Sequence, residues 1–269
     1  MNRKEVFAAA AAAMILCAGC GAHTGDESVP QTTSVSASPV DAKTDALSGE
    51  KHGYGQGTQL DENKVPIGAK QFNEQYKQLG ARALYEDSDK ITLTFDQGYE
   101  NGFTSKILDI LKEKKVHAVF FLVKDYAERN PQLVKRMIEE GHTIANHSVN
   151  HYSMPQLTEE QCRQEIMDMH DYIKENYGVT MTLFRPPMGE FSEKSLAVTK
   201  SCGYETVMWS FAYADWDTQN QPDQAQALKK LTDAAHKGAI YLLHSVSATN
   251  AAVLADMIDN IRKDGYDFN

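Results

Sequence analysis

Two histidines four residues apart, His147 and His151, place two imidazoles on one side of a helical turn, where both can grip one cation. Alone, that spacing is more often met among surface or capping histidines, and only a third donor makes a metal site. Asp96 offers a carboxylate where an apolar run meets a glycine turn, in Thr94-Phe95-Asp96-Gln97-Gly98. A lone Asp after a strand is more often a turn or helix cap. Arg185 stands on a proline-stiffened loop, Arg185-Pro186-Pro187-Met188-Gly189, where its bland role is a structural ion pair. Asp215-Trp216 sets an acid beside an aromatic ring that could line a sugar site or merely cover the end of a barrel. His244 ends the run Leu242-Leu243 in a group that titrates near neutrality, a candidate acid or base.

The elements that must position these groups follow from periodicity. Short apolar and β-branched runs at Ile91–Phe95, His117–Val123, His142–Ala145, Thr182–Phe184, Glu205–Ser210 and Ala239–Leu243 predict buried strands. Amphipathic stretches lie between them. Phe103–Lys114 turns Ile107, Leu108 and Leu111 inward; Pro131–Glu140 opens on a proline and closes at Gly141; Thr158–Tyr177 starts with a Thr-x-x-Gln capping box and stops at Gly178. Ser192–Cys202, Gln221–His236 and Asn250–Asp264 complete the series, and a short last strand is expected from Tyr266. Six βα units in succession predict an α/β fold with a parallel sheet, open or closed into a barrel. Every candidate then falls just past a strand's C-terminal end: Asp96 after the first, His147 and His151 after the third, Arg185, Asp215 and His244 after the fourth, fifth and sixth. That edge is where βα loops converge and active sites form.

The 269 residues carry 27 Lys plus Arg against 37 Asp plus Glu, and 42% are hydrophobic, enough to bury a full core. A net charge of -10 without a basic stripe argues against nucleic acid. Residues 1–20 read as an export signal: Arg3 and Lys4, an apolar stretch Val6–Leu16 too short to span a bilayer, then Cys17-Ala18-Gly19-Cys20. Residues 21–58 are rich in Ser, Thr, Ala, Asp, Gly and Pro without apolar periodicity, and are read as a disordered tether. Residues 59–269 form the remaining domain. Cys162 and Cys202 are the thiols outside the signal, and their pairing is left open.

Thr94-Phe95-Asp96, His147-Ser148-x-x-His151, Arg185-Pro186-Pro187-x-Gly189, Asp215-Trp216 and Leu243-His244 resemble, in order, the five motifs of the NodB-type polysaccharide deacetylases, carbohydrate esterase family 4. The resemblance implies a distorted (β/α)7 barrel and a hydrolase that removes N-acetyl groups with the help of a divalent metal. It implies Asp96 as the base that deprotonates water, His147 and His151 as metal ligands, and His244 as the acid that protonates the departing amine. Arg185 would orient Asp96, and Asp215 would hold His244. Trp216 and Pro187 would contact substrate. Where the family usually has a second acid, this chain has Gln97, which can offer the metal at most an amide oxygen. Two imidazoles favour Zn²⁺ or Co²⁺ over a hard cation such as Mg²⁺. The small residues before Cys20 resemble bacterial lipoprotein signals, which implies lipid on Cys20 and a membrane-tethered exported protein facing the cell wall, or a secreted one.

The stretch Leu93–Thr104, the preamble Gly68–Tyr85 and Trp209–Trp216 resemble one subgroup, the muramic delta-lactam-forming peptidoglycan deacetylases of spore formers. The implied partner is a peptidoglycan glycan strand and the expected state is a monomer. Two rivals stand beside it: a deacetylase of glucosamine residues or chitin-like polymers, and a wall-binding protein that has lost catalysis. The second rests on Gln97 alone.

Overall fold

The computed structural model describes residues 46–269; the expected export signal, Cys20 and the first part of the expected tether lie outside the described residues. In chain order the elements are β1 (His52–Gly53), α1 (Ile67–Tyr76), β2 (Ala81–Arg82), β3 (Thr92–Gln97), α2 (Thr104–Lys114), β4 (Ala118–Leu122), α3 (Lys124–Arg129), α4 (Pro131–Glu139) and β5 (Thr143–Asn146). There follow α5 (Glu159–Tyr177), β6 (Leu183–Phe184), β7 (Glu190–Phe191), α6 (Glu193–Ser201), β8 (Glu205–Val207), β9 (Phe211–Ala212), α7 (Gln224–Asp233), β10 (Ile240–His244) and α8 (Ala248–Lys263). Eight strands form one sheet in the order β2-β8-β6-β5-β4-β3-β10-β9, with every pairing parallel. The first long strand thus lies beside the last, as the curling of a barrel demands.

Strand alternation divides the interior in two. Leu93, Phe95, Phe120, Leu122, Tyr241 and Leu243 face the helices and pack with the apolar stripes of α2, α5 and α8. Val119, Phe121, Ile240 and Leu242 face the inside of the curl, where Phe72, Tyr76, Phe191 and Trp209 fill it. Thr94, Asp96 and His244 share that inward parity, and Asp96 lies in register with His244. The alternation therefore delivers a carboxylate and an imidazole side by side to one end of the curl.

Three expectations are corrected. The run Glu205–Ser210 is not one strand: β8 ends at Val207 and β9 begins at Phe211, at the other side of the sheet. The residues between them cross the opening of the barrel. Met208 N donates to Arg82 O (2.7 Å) and Ser210 N to Ile240 O (2.9 Å), which links the two sides. The tether does not extend to residue 58. β1 pairs antiparallel with β7, Tyr54 packs edge-on against Phe72 and Trp209, and the Tyr54 hydroxyl donates to Trp209 O (2.6 Å). A polar composition concealed this docking because one aromatic residue, Tyr54, provides most of it. At the C-terminus, Phe268 makes a single parallel bridge to Ile91 in place of a strand.

The helix ends agree with their sequence signals. Thr158 and Gln161 form the capping box of α5, and Gly178 ends it in the left-handed conformation.

Candidate active site

Arg185 is fully buried and its guanidinium fork spans the curl. Nη1 donates to Asp96 Oδ1 (2.7 Å) and Thr94 Oγ1 (2.8 Å), Nε to Val207 O (2.9 Å) and Nη2 to Met208 O (2.9 Å). Phe121 lies under it, 4.1 Å from ring centroid to guanidinium carbon. Burial works against a charge on Asp96, yet the Arg185 guanidinium beside it holds its carboxyl below the usual carboxylate range. Asp96 is therefore an ionised carboxylate with one oxygen fixed by Arg185. Its other oxygen, Oδ2, lies 3.5 Å from His147 Nε2.

His147 and His151 do not lie on a helix. They stand on a tight turn in which Ser148 (φ 71°) and His151 (φ 58°) both take the left-handed conformation, which non-glycine residues rarely adopt. The turn brings the rings together, centroids 4.9 Å apart and planes at 75°. His147 Nδ1 lies 2.7 Å from the Arg185 carbonyl; a carbonyl only accepts, so Nδ1 carries the proton and Nε2 keeps its lone pair. Burial pushes the His147 pKa down to about 4, and the ring is neutral at pH 7. Glu165, buried on the inward stripe of α5, holds the turn from behind. Its Oε2 accepts from Val149 N (3.1 Å) and Asn150 N (2.8 Å), and its Oε1 from Asn150 Nδ2 (2.6 Å).

Across the cleft, His244 Nδ1 lies 2.7 Å from Asp215 Oδ1, and Asp215 Oδ2 accepts from His244 N (2.8 Å) and Asn250 Nδ2 (2.5 Å). Asp215 is wholly buried. Burial of His244 disfavours its charge, but the hydrogen bond and charge of Asp215 outweigh it and raise the pKa above the ordinary histidine value. Asn250 also accepts the Tyr213 hydroxyl, so a ring that lines the cleft is tied to the same pair. Sequence reading missed Glu165 and Asn250. Each is a polar residue on the buried stripe of an amphipathic helix, which was the available signal.

The cleft between these groups has a volume of about 800 Å³ and is lined by Asp96, His147, His151 and His244 together with Tyr99, Met188, Trp209, Tyr213 and Trp216. Trp216 is 60% exposed at its edge, with Tyr99 (52%) and Met188 (56%). Pro187 is buried and is not among the lining residues; Met188 and Gly189 represent that loop instead. Gly189 has φ 66°, and a Cβ there would come within 2.6 Å of the Trp209 ring. Gln97 does not face the cleft. Consecutive strand residues point to opposite faces, and its amide donates to Ser245 Oγ behind Asp96.

Among the described residues no three His, Cys, Asp or Glu side chains are grouped to hold a metal. The donors nearest to such a site are the His147 and His151 imidazoles, with Asp96 Oδ2 3.5 Å from His147 Nε2. They fit a cation held by nitrogen, because the Arg185 carbonyl fixes the His147 tautomer that leaves Nε2 free to ligate.

Residues 85–207 match the polysaccharide deacetylase family. Over 208 residues the chain is 42% identical to the peptidoglycan-N-acetylmuramic acid deacetylase PdaA of Bacillus subtilis, covering 77% of this chain and 79% of that protein. The chain belongs to the polysaccharide deacetylase family. The solved structure of PdaA, a family 4 carbohydrate esterase, superposes with a TM-score of 0.78 at 39% identity, over 83% of this chain and 96% of that one. A family 4 carbohydrate esterase from Bacillus anthracis gives 0.69 at 37% identity, over 83% and 95%. A peptidoglycan-N-acetylglucosamine deacetylase of Bacillus cereus is 33% identical over 181 residues, 66% of this chain and 84% of that protein. The ordered motifs are thus those of a polysaccharide de-N-acetylase, and the sheet is the distorted α/β barrel of family 4 carbohydrate esterases.

Proposed function

We propose that this polysaccharide deacetylase removes the N-acetyl group from muramic acid residues of peptidoglycan, with a divalent metal held by His147 and His151. The observation that carries the chemistry is the pair of opposed, separately buried dyads, Arg185–Asp96 and Asp215–His244, on one cleft. A bound divalent cation would supply Lewis-acid polarisation of the acetyl carbonyl.

The residues divide the remaining work. Asp96 Oδ2 accepts a proton from the attacking water, while Arg185 keeps Oδ1 fixed and the carboxylate charged. The water oxygen bonds to the acetyl carbon and the C–N bond breaks. His244 donates its Nε2 proton to the departing nitrogen, with Nδ1–H held by Asp215. Acetate and the free amine are the products. Tyr99 and Trp216 stand where aromatic faces can flank a sugar ring.

The muramic reading is supported by 42% identity to PdaA over 208 residues, against 33% over 181 to the glucosamine deacetylase, and by the likeness of Leu93–Thr104 to the delta-lactam-forming subgroup. Once the stem peptide is gone, the freed amine can attack the lactyl carboxyl of the same residue and close the lactam. The test is mass spectrometry of digested peptidoglycan, with and without stem peptides, after exposure to the enzyme. Deacetylated or lactamised muramic residues in peptide-free glycan are expected; acetate lost only from glucosamine would replace the substrate assignment. Export and lipidation rest on the first 20 residues. Cys20→Ala should release the protein from membranes or block its processing, and native protein cleaved elsewhere and wholly soluble would leave secretion alone.

A further inference from the structure

Asp96 and His244 are the last register pair between β3 and β10. Beyond them, side chains join the two departing loops. The Gln97 amide donates to Ser245 Oγ, and Asn101 Nδ2 donates to Val246 O (2.9 Å). Gln97 and Ser245 each directly follow one of the two groups that move protons in the proposed reaction. Both are buried, and neither lines the cleft.

Stability alone does not account for an amide at position 97. Its Oε1 is buried and has no hydrogen-bond partner among the described residues. An orphaned acceptor of this kind is a standing cost, which two apolar side chains of the same shape would avoid. We propose that Gln97 and Ser245 are positioning residues, whose bond fixes the end of β3 against the end of β10 and so sets the spacing of Asp96 and His244. The proposal rests on the deacetylase reading. Asp96 takes a proton from water on one side of the breaking bond, and His244 gives one to the leaving nitrogen on the other. A slip of one strand end against its neighbour therefore misplaces both groups relative to the acetyl carbon, and a misplacement of about 1 Å can cost on the order of 100-fold in rate. The bond needs a donor at position 97: a carboxylate there has no proton to give Ser245 Oγ.

The experiment compares wild type, Gln97→Met, Ser245→Ala and the double variant in kcat, KM, urea stability and Zn²⁺ affinity by calorimetric titration. In each single variant kcat should fall about tenfold, short of the cost of a full 1 Å displacement, with KM held within about twofold. The double variant should lose no more than either single one, because the same bond is removed. It should also be at least as stable as wild type, since both partners of the bond are gone. Wild-type kcat with lowered stability would make the pair merely structural and overturn the proposal, as would losses in kcat that multiply in the double variant. Zn²⁺ affinity should not change; a loss in Gln97→Met that Ser245→Ala does not share would return position 97 to the metal and overturn the proposal too. If Gln97→Met does not fold, Ser245→Ala decides by its kcat. If wild type releases no acetate from peptide-free glycan, the deacetylase reading fails separately. The His244 ring resonances of Ser245→Ala then decide: broadened lines support the positioning role, and lines equal to wild type remove it.

Discussion

Arg185→Lys keeps the positive charge and removes the fork, and so isolates what the fork contributes. An ammonium on a flexible stem can reach Asp96 Oδ1 or Thr94 Oγ1, but it cannot also serve the carbonyls of Val207 and Met208. Val207 and Met208 are buried, and each orphaned acceptor costs about 1–3 kcal/mol, so about 2–6 kcal/mol of stability is lost. For a domain of this size that corresponds to a fall in Tm on the order of 10 °C. Arg185→Met should be worse, because it strands the Asp96 carboxylate without a partner at a cost of about 3–5 kcal/mol. Adding Asp96→Asn to Arg185→Met should restore part of the loss. Urea unfolding of the four proteins gives the cycle. A Lys variant within about 0.5 kcal/mol of wild type, the usual range of a neutral surface change, would mean that the two carbonyl bonds contribute nothing net. A Met variant no worse than the Lys variant would show that Asp96 is not ionised in the folded state.

Asp96→Asn should fold and yet lose turnover, since an amide cannot take a proton from water; near wild-type kcat in a folded variant would remove Asp96 as the base. His244→Ala should lower kcat roughly 100-fold or more. The acid must be protonated to act, and Asp215 raises the His244 pKa. Activity should therefore persist below that raised pKa and fall as pH rises through it. In Asp215→Asn only burial remains to dominate, so the falling limb should move to lower pH, and an unmoved limb would reassign the acid. Glu165→Ala frees the turn that carries both imidazoles, and Zn²⁺ affinity by calorimetric titration should weaken roughly 10- to 100-fold. Unchanged affinity would confine Glu165 to a structural part.

Strand positions and the residues at their ends were legible because each is written locally. Buried central strands must be apolar on both faces, and β3, β4 and β10 are buried along nearly their whole length. The chemistry-bearing residues Asp96, His147, His151, Arg185, Asp215 and His244 interrupt those runs or follow them closely. What stayed hidden was the part set by contacts distant in sequence. Nothing local announces that Val207 and Met208 give their carbonyls to Arg185, nor that β8 ends at Val207 and β9 begins on the far side of the sheet. The docking of β1 was invisible for the same reason, since its partner β7 lies well over a hundred residues away.

Glu165 and Asn250 occupy an intermediate position. An acid at the second place of the inward series Cys162, Glu165, Ile166, Met169, or an amide before Ala251, Val253 and Leu254, is a polar group in an apolar stripe. Leaving either without a partner would cost about 1–3 kcal/mol, so each had to have one. Those partners proved to be the turn of the imidazoles and the carboxylate behind His244, because helices packed under a parallel sheet point their inward polar groups toward the loops at its C-terminal edge. In a βα chain, a polar residue on an apolar stripe one turn or two inside a helix N-terminus is therefore evidence about the site and not only about the helix.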